Sequence, residues 1–382
     1  DEDAGEDKML KGALKEGLTA WEVAEKYIKI ADREAFELLG LLHPEHMPRA
    51  TEYIQQQIDF VKILEEKGFT YVIDDGVYFD TSKLENYGEL ARLDIEGLQF
   101  GVRVEDTGKK NPTDFAVWKF SKPEEKRDME WDSPWGTGFP GWHLECSVMA
   151  REILGDSIDI HTGGIDHIPV HHTNEIAQTE AITGKKFSNF WVHANHIKVD
   201  GTKISKSLEN GYTLQDILDK GYNLRAFKLL VLSKHYRTEG NFTWEILEAA
   251  QNRLNNWREM FNRRWQIDTI SDNQPDITDS ILESLQNDLN SPKALAQIDA
   301  YFDAVDQTSA MPNRDTLLAI RDLLGIDLLD DDITDEQKQL IKDRKDAREA
   351  KDWAKSDELR DKLKEQGIEV KDTPNGTIWS RT

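Results

Sequence analysis

The stretch of sequence that decides the fold carries the only cysteine and the densest group of histidines in the chain. It reads Gly141-Trp142-His143-Leu144-Glu145-Cys146, then Asp159-Ile160-His161-Thr162-Gly163-Gly164, and then His171-His172-Thr173-Asn174-Glu175. The pattern predicts a helix over residues 144–153, a short buried strand over 158–160 and a second helix over 174–182. A strand that leads through a glycine-rich loop into a helix is typical of nucleotide-binding α/β folds, although two glycines alone are weak evidence.

Three side chains in this stretch are acceptable zinc ligands. His171 and Glu175 stand four positions apart, so on a helix both project from one face. Together with Cys146 they offer an imidazole, a carboxylate and a thiolate, and a site with a fourth position left for a substrate would be catalytic. A free cysteine is ordinarily a small buried hydrophobe. An inert Cys146 beside a solvated histidine helix therefore stays open at this point.

The composition limits the class of protein. The 382 residues are enough for two or three domains, and 38% hydrophobic with 32% charged residues suits a soluble chain. A net charge of -25 argues against non-specific coating of nucleic acid, but allows an enzyme with local basic contacts. We find no run near the ~20 apolar residues of a membrane span, and no signal peptide.

A single cysteine fits a reducing cytosol, so we expect a cytoplasmic protein with no membrane partner. The chain starts at Asp1 without a methionine, in what looks like the middle of a domain. We therefore expect it to be the later part of a longer protein.

The remaining pattern changes character along the chain. Thr19 with Glu22 predicts a capped helix start, the residues around an Asp-Asp-Gly turn predict a β-hairpin over 71–79, and residues 105–140 look irregular. After a hairpin turned at residues 200–201, the pattern is helical from 213 to about 345. A charged helix over 346–366 and a hairpin over 368–379 end the chain.

A second chemical motif is Lys203-Ile204-Ser205-Lys206-Ser207. Two ammonium groups on a loop can fold over a polyphosphate and offset charge that develops at its bridging oxygens. The alternative is a solvated basic loop, because short lysine runs are common on surfaces. The candidate zinc ligands and the Gly-Gly turn upstream favour the active-site interpretation.

Together these motifs resemble cysteinyl-tRNA synthetases, a family of class I aminoacyl-tRNA synthetases, over essentially the whole chain. Lys203 to Ser207 is similar to the Lys-Met-Ser-Lys-Ser signature of that class. The segments that resemble the cysteine enzymes are Gly141–Cys146, Asp159–His161, His171-His172, Asn111–Phe115 with Trp118-Lys119, Trp131–Gly136 and Asp372–Trp379.

The resemblance implies an α/β Rossmann-like catalytic domain, incomplete at its N-terminus and interrupted by a connective insertion. A helical bundle and a small α+β module follow it. The expected divisions are the end of the first catalytic half (1–46), the insertion (47–135), the second catalytic half with the zinc site (136–192), the stem-contact region with the lysine loop (193–247), the bundle (248–340) and the anticodon module (341–382).

The family's reaction activates L-cysteine with ATP and transfers it to the 3′ end of tRNA(Cys). The resemblance implies one zinc ion, ATP with Mg²⁺ as substrate, and a monomeric enzyme. The implied roles are zinc ligands (Cys146, His171, Glu175), substrate-binding residues (Trp142, His143, His161, Asp166, His172), ATP-binding residues (Gly163, Gly164, Lys206) and catalytic lysines (Lys203, Lys206).

This sequence departs from the family pattern at several positions. The family usually has Leu-x-Phe-Pro-His-His-Glu-Asn-Glu where residues 167–175 read His-Ile-Pro-Val-His-His-Thr-Asn-Glu. Glu209 replaces a common glycine, and residues 193–195 read His-Ala-Asn in place of His-Asn-Gly. The family's fourth zinc ligand, a cysteine, and its His-Ile-Gly-His phosphate motif are missing, so we expect this chain to be inactive alone.

Two other functions remain open on the sequence. A cysteine ligase with an amino-sugar acceptor shares the zinc and adenylation motifs, but lacks an anticodon-binding tail. A non-catalytic tRNA- or zinc-binding relative would also lack the phosphate motif. The intact lysine loop argues against the latter, because its two lysines have no evident structural use.

Overall fold

The structure is a computed structural model that describes residues 8–92, 108–122, 127–205, 208, 210–266, 274–308, 311–329, 331–373 and 376–381. The chain divides into two compact units. The first comprises residues 1–37 and 42–196, and the second comprises residues 38–41 and 197–382.

The described part of the first unit begins with three α-helices and contains a four-stranded antiparallel sheet. The helices are α1 (Lys8–Glu16), α2 (Ala20–Asp32) and α3 (Ile54–Glu66), and the strands, in sheet order, are β1 (Thr70–Ile73), β2 (Gly76–Phe79), β3 (Phe115–Phe120) and β4 (Gly138–Pro140). The predicted cap is present, because the Thr19 side chain accepts from the Glu22 N–H while the Glu22 carboxylate accepts from the Thr19 N–H. The predicted hairpin corresponds to β1 and β2, which pair in register.

The expectation of an irregular stretch over 105–140 was wrong in part, because β3 and β4 lie within it. Phe115, Val117 and Trp118 on β3 are all buried. A strand covered on both faces has no alternation of polar and apolar residues, so its sequence carries no periodic strand signal.

The buried carboxylate of Asp114 fixes the loop that enters β3. It accepts hydrogen bonds from the Thr81 N–H and hydroxyl (2.9 and 2.8 Å), from the Asn111 N–H and side-chain amide (2.9 and 3.1 Å), and from the Tyr71 hydroxyl (2.7 Å). A buried carboxylate is stable only with such partners. The loop therefore holds β3 against its neighbours and secures the sheet behind α4.

The candidate site lies on the second half of this unit. Its elements are α4 (Trp142–Leu154), β5 (Ile158–Gly164), α5 (Thr173–Thr183) and β6 (Ser188–Ala194). Strands β5 and β6 pair in parallel, with Ile160 opposite Phe190. β5 is longer than predicted and not buried throughout, because Ile160 is exposed, as is Phe190 opposite it on β6. The α4 and α5 helices are tied together by the Gln178 amide, which donates to the His143 carbonyl (2.7 Å) and the Ser147 hydroxyl (2.6 Å).

The second unit starts with a short parallel pair and continues as a helical bundle. Its elements are β7 (Ile197–Val199), α6 (Leu214–Asp219), α7 (Leu224–Leu232), β8 (Gly240–Phe242), α8 (Trp244–Asn262), α9 (Thr278–Gln286), α10 (Ser291–Thr308) and α11 (Arg314–Leu324). The predicted hairpin at 200–201 was wrong in its partner. A turn and a single bridge join Val199 to Thr202, but β7 pairs in parallel with β8.

A small module ends the second unit. It consists of α12 (Asp335–Glu349), α13 (Trp353–Glu365), β9 (Ile368–Thr373) and β10 (Gly376–Arg381). The predicted charged helix is two helices, because the chain turns at Lys351, which takes a positive φ of 60°. The hairpin is confirmed, and its Trp379 is 5% exposed in a core with Ile333, Leu363 and Ile368.

Candidate active site and metal centre

The two adjacent histidines are both buried because the backbone changes its helical pitch before α5. Residues 165–167 form a 3₁₀ turn and residues 168–172 form a short π-helix. His171 and His172 are 4% and 2% exposed. Neighbouring residues of a regular helix point in different directions, and single π turns occur often at functional sites. The wider turn therefore lets both imidazoles face the space between α4, β5 and α5.

The structure brings Cys146, His171 and Glu175 together. One ligand atom from each lies within 4.8 Å of the other two, and His171 Nε2 is 3.7 Å from Glu175 Oε2. Tetrahedral zinc with bonds of about 2.0–2.3 Å needs ligand atoms about 3.3–3.8 Å apart. Small side-chain adjustments would satisfy that geometry.

A second group of three shares the same carboxylate. Ligand atoms of His161, His172 and Glu175 also lie within 4.8 Å of one another. His161 Nε2 is 3.0 Å from Glu175 Oε2, which is hydrogen-bond distance. His161 thus holds the carboxylate in place, as outer partners of metal ligands usually do.

The polar atoms of this group that remain without a partner suit a bound cation. Among the described residues, the buried atoms Glu175 Oε1 and His171 Nδ1 have no hydrogen-bond partner. Burial raises the pKa of Glu175, and the nearby histidine proton donor only partly offsets this. An unpaired buried carboxylate is costly, whereas a cation beside it removes the cost. The donor set of thiol, imidazole and carboxylate fits zinc.

The two ligands differ in protonation state, since only His171 is already in its metal-binding form. Burial, followed by the charges of Glu175 and Glu145, raises the pKa of Cys146 to about 12. Burial and neighbouring histidines lower the pKa of His171 to about 3, so its ring is neutral and able to bind a metal. A cation would reverse the effect on Cys146, because zinc binds the thiolate and releases its proton.

An aromatic residue and a glycine border this group. Trp142 is 43% exposed, and its ring centroid is 4.1 Å from that of His171. Gly163 is required where it stands, because a Cβ there would lie 2.6 Å from His172 Cε1 and 2.9 Å from His167 Nδ1. Such distances are far shorter than van der Waals contact. The glycine allows two imidazoles to close against the end of β5.

The other expected site residues lie in different surroundings. Burial lowers the pKa of His143 to about 3, and its ring meets the edge of Phe115 at 4.6 Å, on the side of the antiparallel sheet. Asp166 is exposed and pairs with His196 at 3.2 Å. Gly164 donates its N–H to His167 Nδ1 at 3.3 Å.

Two further histidines, His193 and His167, belong to this group although the sequence did not predict a role for them. His193 Nε2 lies 2.8 Å from His172 Nδ1, and the Trp191 ring stacks parallel to the His193 ring. His167 lies 5.3 Å, between ring centroids, from both His171 and His172. For His193 the sequence did carry a signal. Side chains alternate between the two faces of a strand, so Trp191 and His193, two positions apart, share one face.

The lysine loop belongs to the second unit. Lys203 is exposed, and Asn210 closes the loop by accepting from the Ser205 N–H (3.0 Å) and donating to the Lys203 carbonyl (3.3 Å). Lys206 lies outside the described residues. In the described part of the chain, we find no helix with the length and apolar character needed to cross a membrane.

Two family models match different parts of the chain. Residues 3–252 match the family model described as "tRNA synthetases class I (C) catalytic domain". Residues 330–379 match the model described as "Cysteinyl-tRNA ligase anticodon binding domain". The structure is similar to that of Mycobacterium tuberculosis methionyl-tRNA synthetase in complex with methionyl-adenylate. That similarity has a TM-score of 0.50 at 14% identity, and covers 88% of this chain and 74% of that chain.

Two curated relatives align with nearly all of the chain. Cysteine–tRNA ligase 1 of Burkholderia lata is 44% identical over 386 residues, which are 98% of this chain and 80% of the relative. Cysteine–tRNA ligase of Treponema denticola is 38% identical over 420 residues, which are 100% of this chain and 84% of the relative.

The fold and the matched catalytic model are those of a class I aminoacyl-tRNA synthetase. The helical bundle and the small C-terminal module agree with that architecture. The chain belongs to the cysteinyl-tRNA synthetases, the ligases that join cysteine to tRNA at the expense of ATP. The match to an anticodon-binding model favours tRNA over an amino sugar as the acceptor.

Proposed function

We propose that the pocket between α4, β5 and α5 selects L-cysteine through a zinc ion held by Cys146, His171 and Glu175. The observation that carries the proposal is their convergence around a buried carboxylate whose Oε1 has no partner among the described residues. Bound zinc would accept the substrate's sulfur as a ligand and prefer it to a hydroxyl.

Selection against serine is the reason that such a pocket needs more than shape. Serine has nearly the size of cysteine, and an apolar pocket separates such pairs by only ~10- to 200-fold. A site that tests for a thiol does not depend on this small difference in size. This proposal gives the ligase its specificity without a separate editing site.

The residues around the metal group hold the substrate in the proposal. Trp142 is half-exposed beside His171, and would cover the bound amino acid. Asp166 offers an exposed carboxylate for the substrate's ammonium group, and His161 would receive its other backbone groups. His172, braced by His193, would line the base of the pocket with the deeper His143. These residues bind and orient the substrate.

The ATP side rests on the glycine turn and the lysine loop. Gly163 and Gly164 would allow close approach of the nucleotide to the backbone. Lys203 and Lys206 would offset the charge that develops on the pyrophosphate, together with Mg²⁺. Attack of the cysteine carboxylate on the α-phosphate needs positioning and charge stabilisation above all.

The partner in the transfer step is tRNA(Cys). We assign its anticodon to the module over residues 341–382, which overlaps the matched anticodon-binding model. We expect the protein to act as a monomer, which light scattering of the purified protein would test.

Calorimetry with L-cysteine and L-serine tests the proposed selection. The zinc-loaded protein should bind cysteine at least about 1,000-fold more tightly than serine, beyond the ~10- to 200-fold reach of an apolar pocket. Removal of zinc, or Cys146→Ser, should abolish most of this preference in protein that remains folded by circular dichroism. Equal preference with and without zinc would overturn the proposal.

A further inference from the structure

The side chain of Gln266, just after α8, hydrogen-bonds to the backbone of the C-terminal hairpin as a neighbouring strand would. Gln266 follows α8 by one short turn, 113 positions before Trp379. Its Nε2 donates to the Trp379 carbonyl at 3.0 Å, and its Oε1 accepts from the Trp379 N–H at 2.7 Å. The same Nε2 also donates to the Asn262 carbonyl at 3.2 Å, at the end of α8. Both the Nε2 and the Oε1 atom of the side-chain amide are therefore hydrogen-bonded.

The place of this contact on the hairpin is specific. Strands β9 and β10 form a two-stranded sheet, so β10 has one open edge. Trp379 lies opposite Val370 in the register, and its ring is buried in the core of the module. Open strand edges need partners for their N–H and C=O groups. Gln266 supplies both partners at the residue that also anchors the core of the module.

Space remains beside this contact, between α8 and the hairpin. A cavity of about 380 Å³ lies between α8 and the hairpin, lined by Asn255, Arg258, Glu259, Asn262, Glu369, Ser380 and Arg381. A second cavity of about 190 Å³ adjoins Trp379 itself. Close packing is what normally fixes one element against another. With space on this side of the hairpin, the two hydrogen bonds of Gln266 have greater influence on its orientation.

We propose that Gln266 is a positioning residue that sets how the anticodon module is presented to tRNA. Its two hydrogen bonds hold the backbone of Trp379 against the end of α8. The inference rests on the proposed role of residues 341–382 in anticodon binding. It adds the residue outside that module on which its orientation depends. Without these hydrogen bonds the module stays folded but can take several orientations. Only a fraction of the molecules then has the orientation that binds tRNA.

Binding of tRNA to the full chain tests the inference. Gln266→Ala should weaken the affinity for tRNA(Cys) about tenfold, the size expected when two hydrogen bonds are lost. Affinities for cysteine and ATP should stay at wild-type values. The matched control is Gln55→Ala, on α3 of the first unit, whose exposed amide donates to Asp59 one turn further on.

Anticodon specificity separates positioning from a general loss of stability. Wild-type protein should distinguish tRNA(Cys) from the same tRNA with a substituted anticodon, and Gln266→Ala should lose most of that distinction. Gln266→Glu should fall between the two, because a carboxylate still accepts from Trp379 but cannot donate to its carbonyl. Hydrogen exchange should quicken over residues 376–381 in both variants. If Gln266→Ala misfolds, Gln266→Glu decides the matter alone.

The outcomes are distinct. Unchanged tRNA affinity in a folded Gln266 variant would overturn the inference, and so would equal weakening towards both tRNAs. A wild-type protein that binds both tRNAs equally would instead contradict the proposed anticodon role of the module.

Discussion

His161 Nε2 lies 3.0 Å from the Glu175 carboxylate, which is completely buried and also reaches towards His171. This hydrogen bond fixes the direction of Glu175, whose other oxygen has no partner among the described residues. A buried carboxylate held by one histidine and facing another is poised for a cation. His161 therefore affects the metal site although it is not one of the proposed ligands.

The first prediction is that His161→Ala weakens zinc binding by about 10- to 100-fold, as loss of an outer partner of a metal ligand usually does. Competition with a chromogenic chelator measures the affinity. His46→Ala, which changes an exposed histidine well before the site in the sequence, should leave the zinc affinity unchanged. Wild-type zinc affinity in His161→Ala would show that Glu175 does not need this support.

The second prediction concerns Gly163. An alanine there would place its Cβ within 3 Å of both His172 and His167, so these rings must move. We expect Gly163→Ala to cost about 1–3 kcal/mol of stability, as overpacking usually does, and to weaken cysteine binding. Thermal unfolding and calorimetry measure the two effects.

Gly12→Ala is the control for Gly163, because the nearest atom to its new Cβ is Val23 Cγ1 at an ordinary 3.6 Å. It lies in α1 and should not lower stability, since alanine favours a helix. Equal effects of the two substitutions would contradict the steric explanation.

The third prediction separates the lysine loop from the metal. Lys206→Ala should weaken ATP binding several-fold with no loss of zinc, since the lysine acts on phosphate charge. Fluorescent nucleotide titration and metal analysis of the same sample measure both. Lys234→Ala, an exposed lysine of the second unit, serves as the control. Unaltered ATP affinity in Lys206→Ala would count against the assignment.

The fourth prediction is a pH dependence of the C-terminal module. A hydrogen bond from Arg344 is the main reason that the pKa of Asp372 falls to about 2, from an ordinary 3.8, with Thr377 and Arg348 adding to it. Because this pKa is lowered on folding, the stabilisation is complete above about pH 4. It is lost as the pH falls from about 4 to 2.

Asp372→Asn should therefore lower the melting temperature at pH 7, and the difference from wild type should shrink towards pH 3. Thermal unfolding across this range measures it. Asp361→Asn, an exposed residue of α13, should give no comparable change. A wild-type advantage that persisted at pH 2 would contradict the assigned cause.

The parts of the structure with strong local patterns could be predicted from the sequence. The Thr19–Glu22 cap and the C-terminal hairpin follow from a few neighbouring residues. The partner of β7 could not, because parallel pairing joins residues that are 43 positions apart. The break at Lys351 was also missed, since a left-handed turn at lysine leaves no sequence signal.

For the candidate site, too, the sequence predicted some contacts and not others. Cys146, His171 and Glu175 were proposed from their spacing and the family resemblance, and the fold brings them together. His193 received no role, because its contact with His172 depends on how β6 passes beside β5 and the π turn. Local spacing cannot reveal contacts that arise from strand pairing.

The most direct test of the account is the absorption spectrum of the cobalt-substituted protein during titration with L-cysteine. Cobalt takes the place of zinc and reports sulfur ligands through intense charge-transfer bands in the near ultraviolet. We expect such a band from Cys146, absent in Cys146→Ser, and a further rise on addition of L-cysteine but not of L-serine. A spectrum that L-cysteine leaves unchanged, in protein that binds cobalt, would contradict recognition of the substrate through its sulfur.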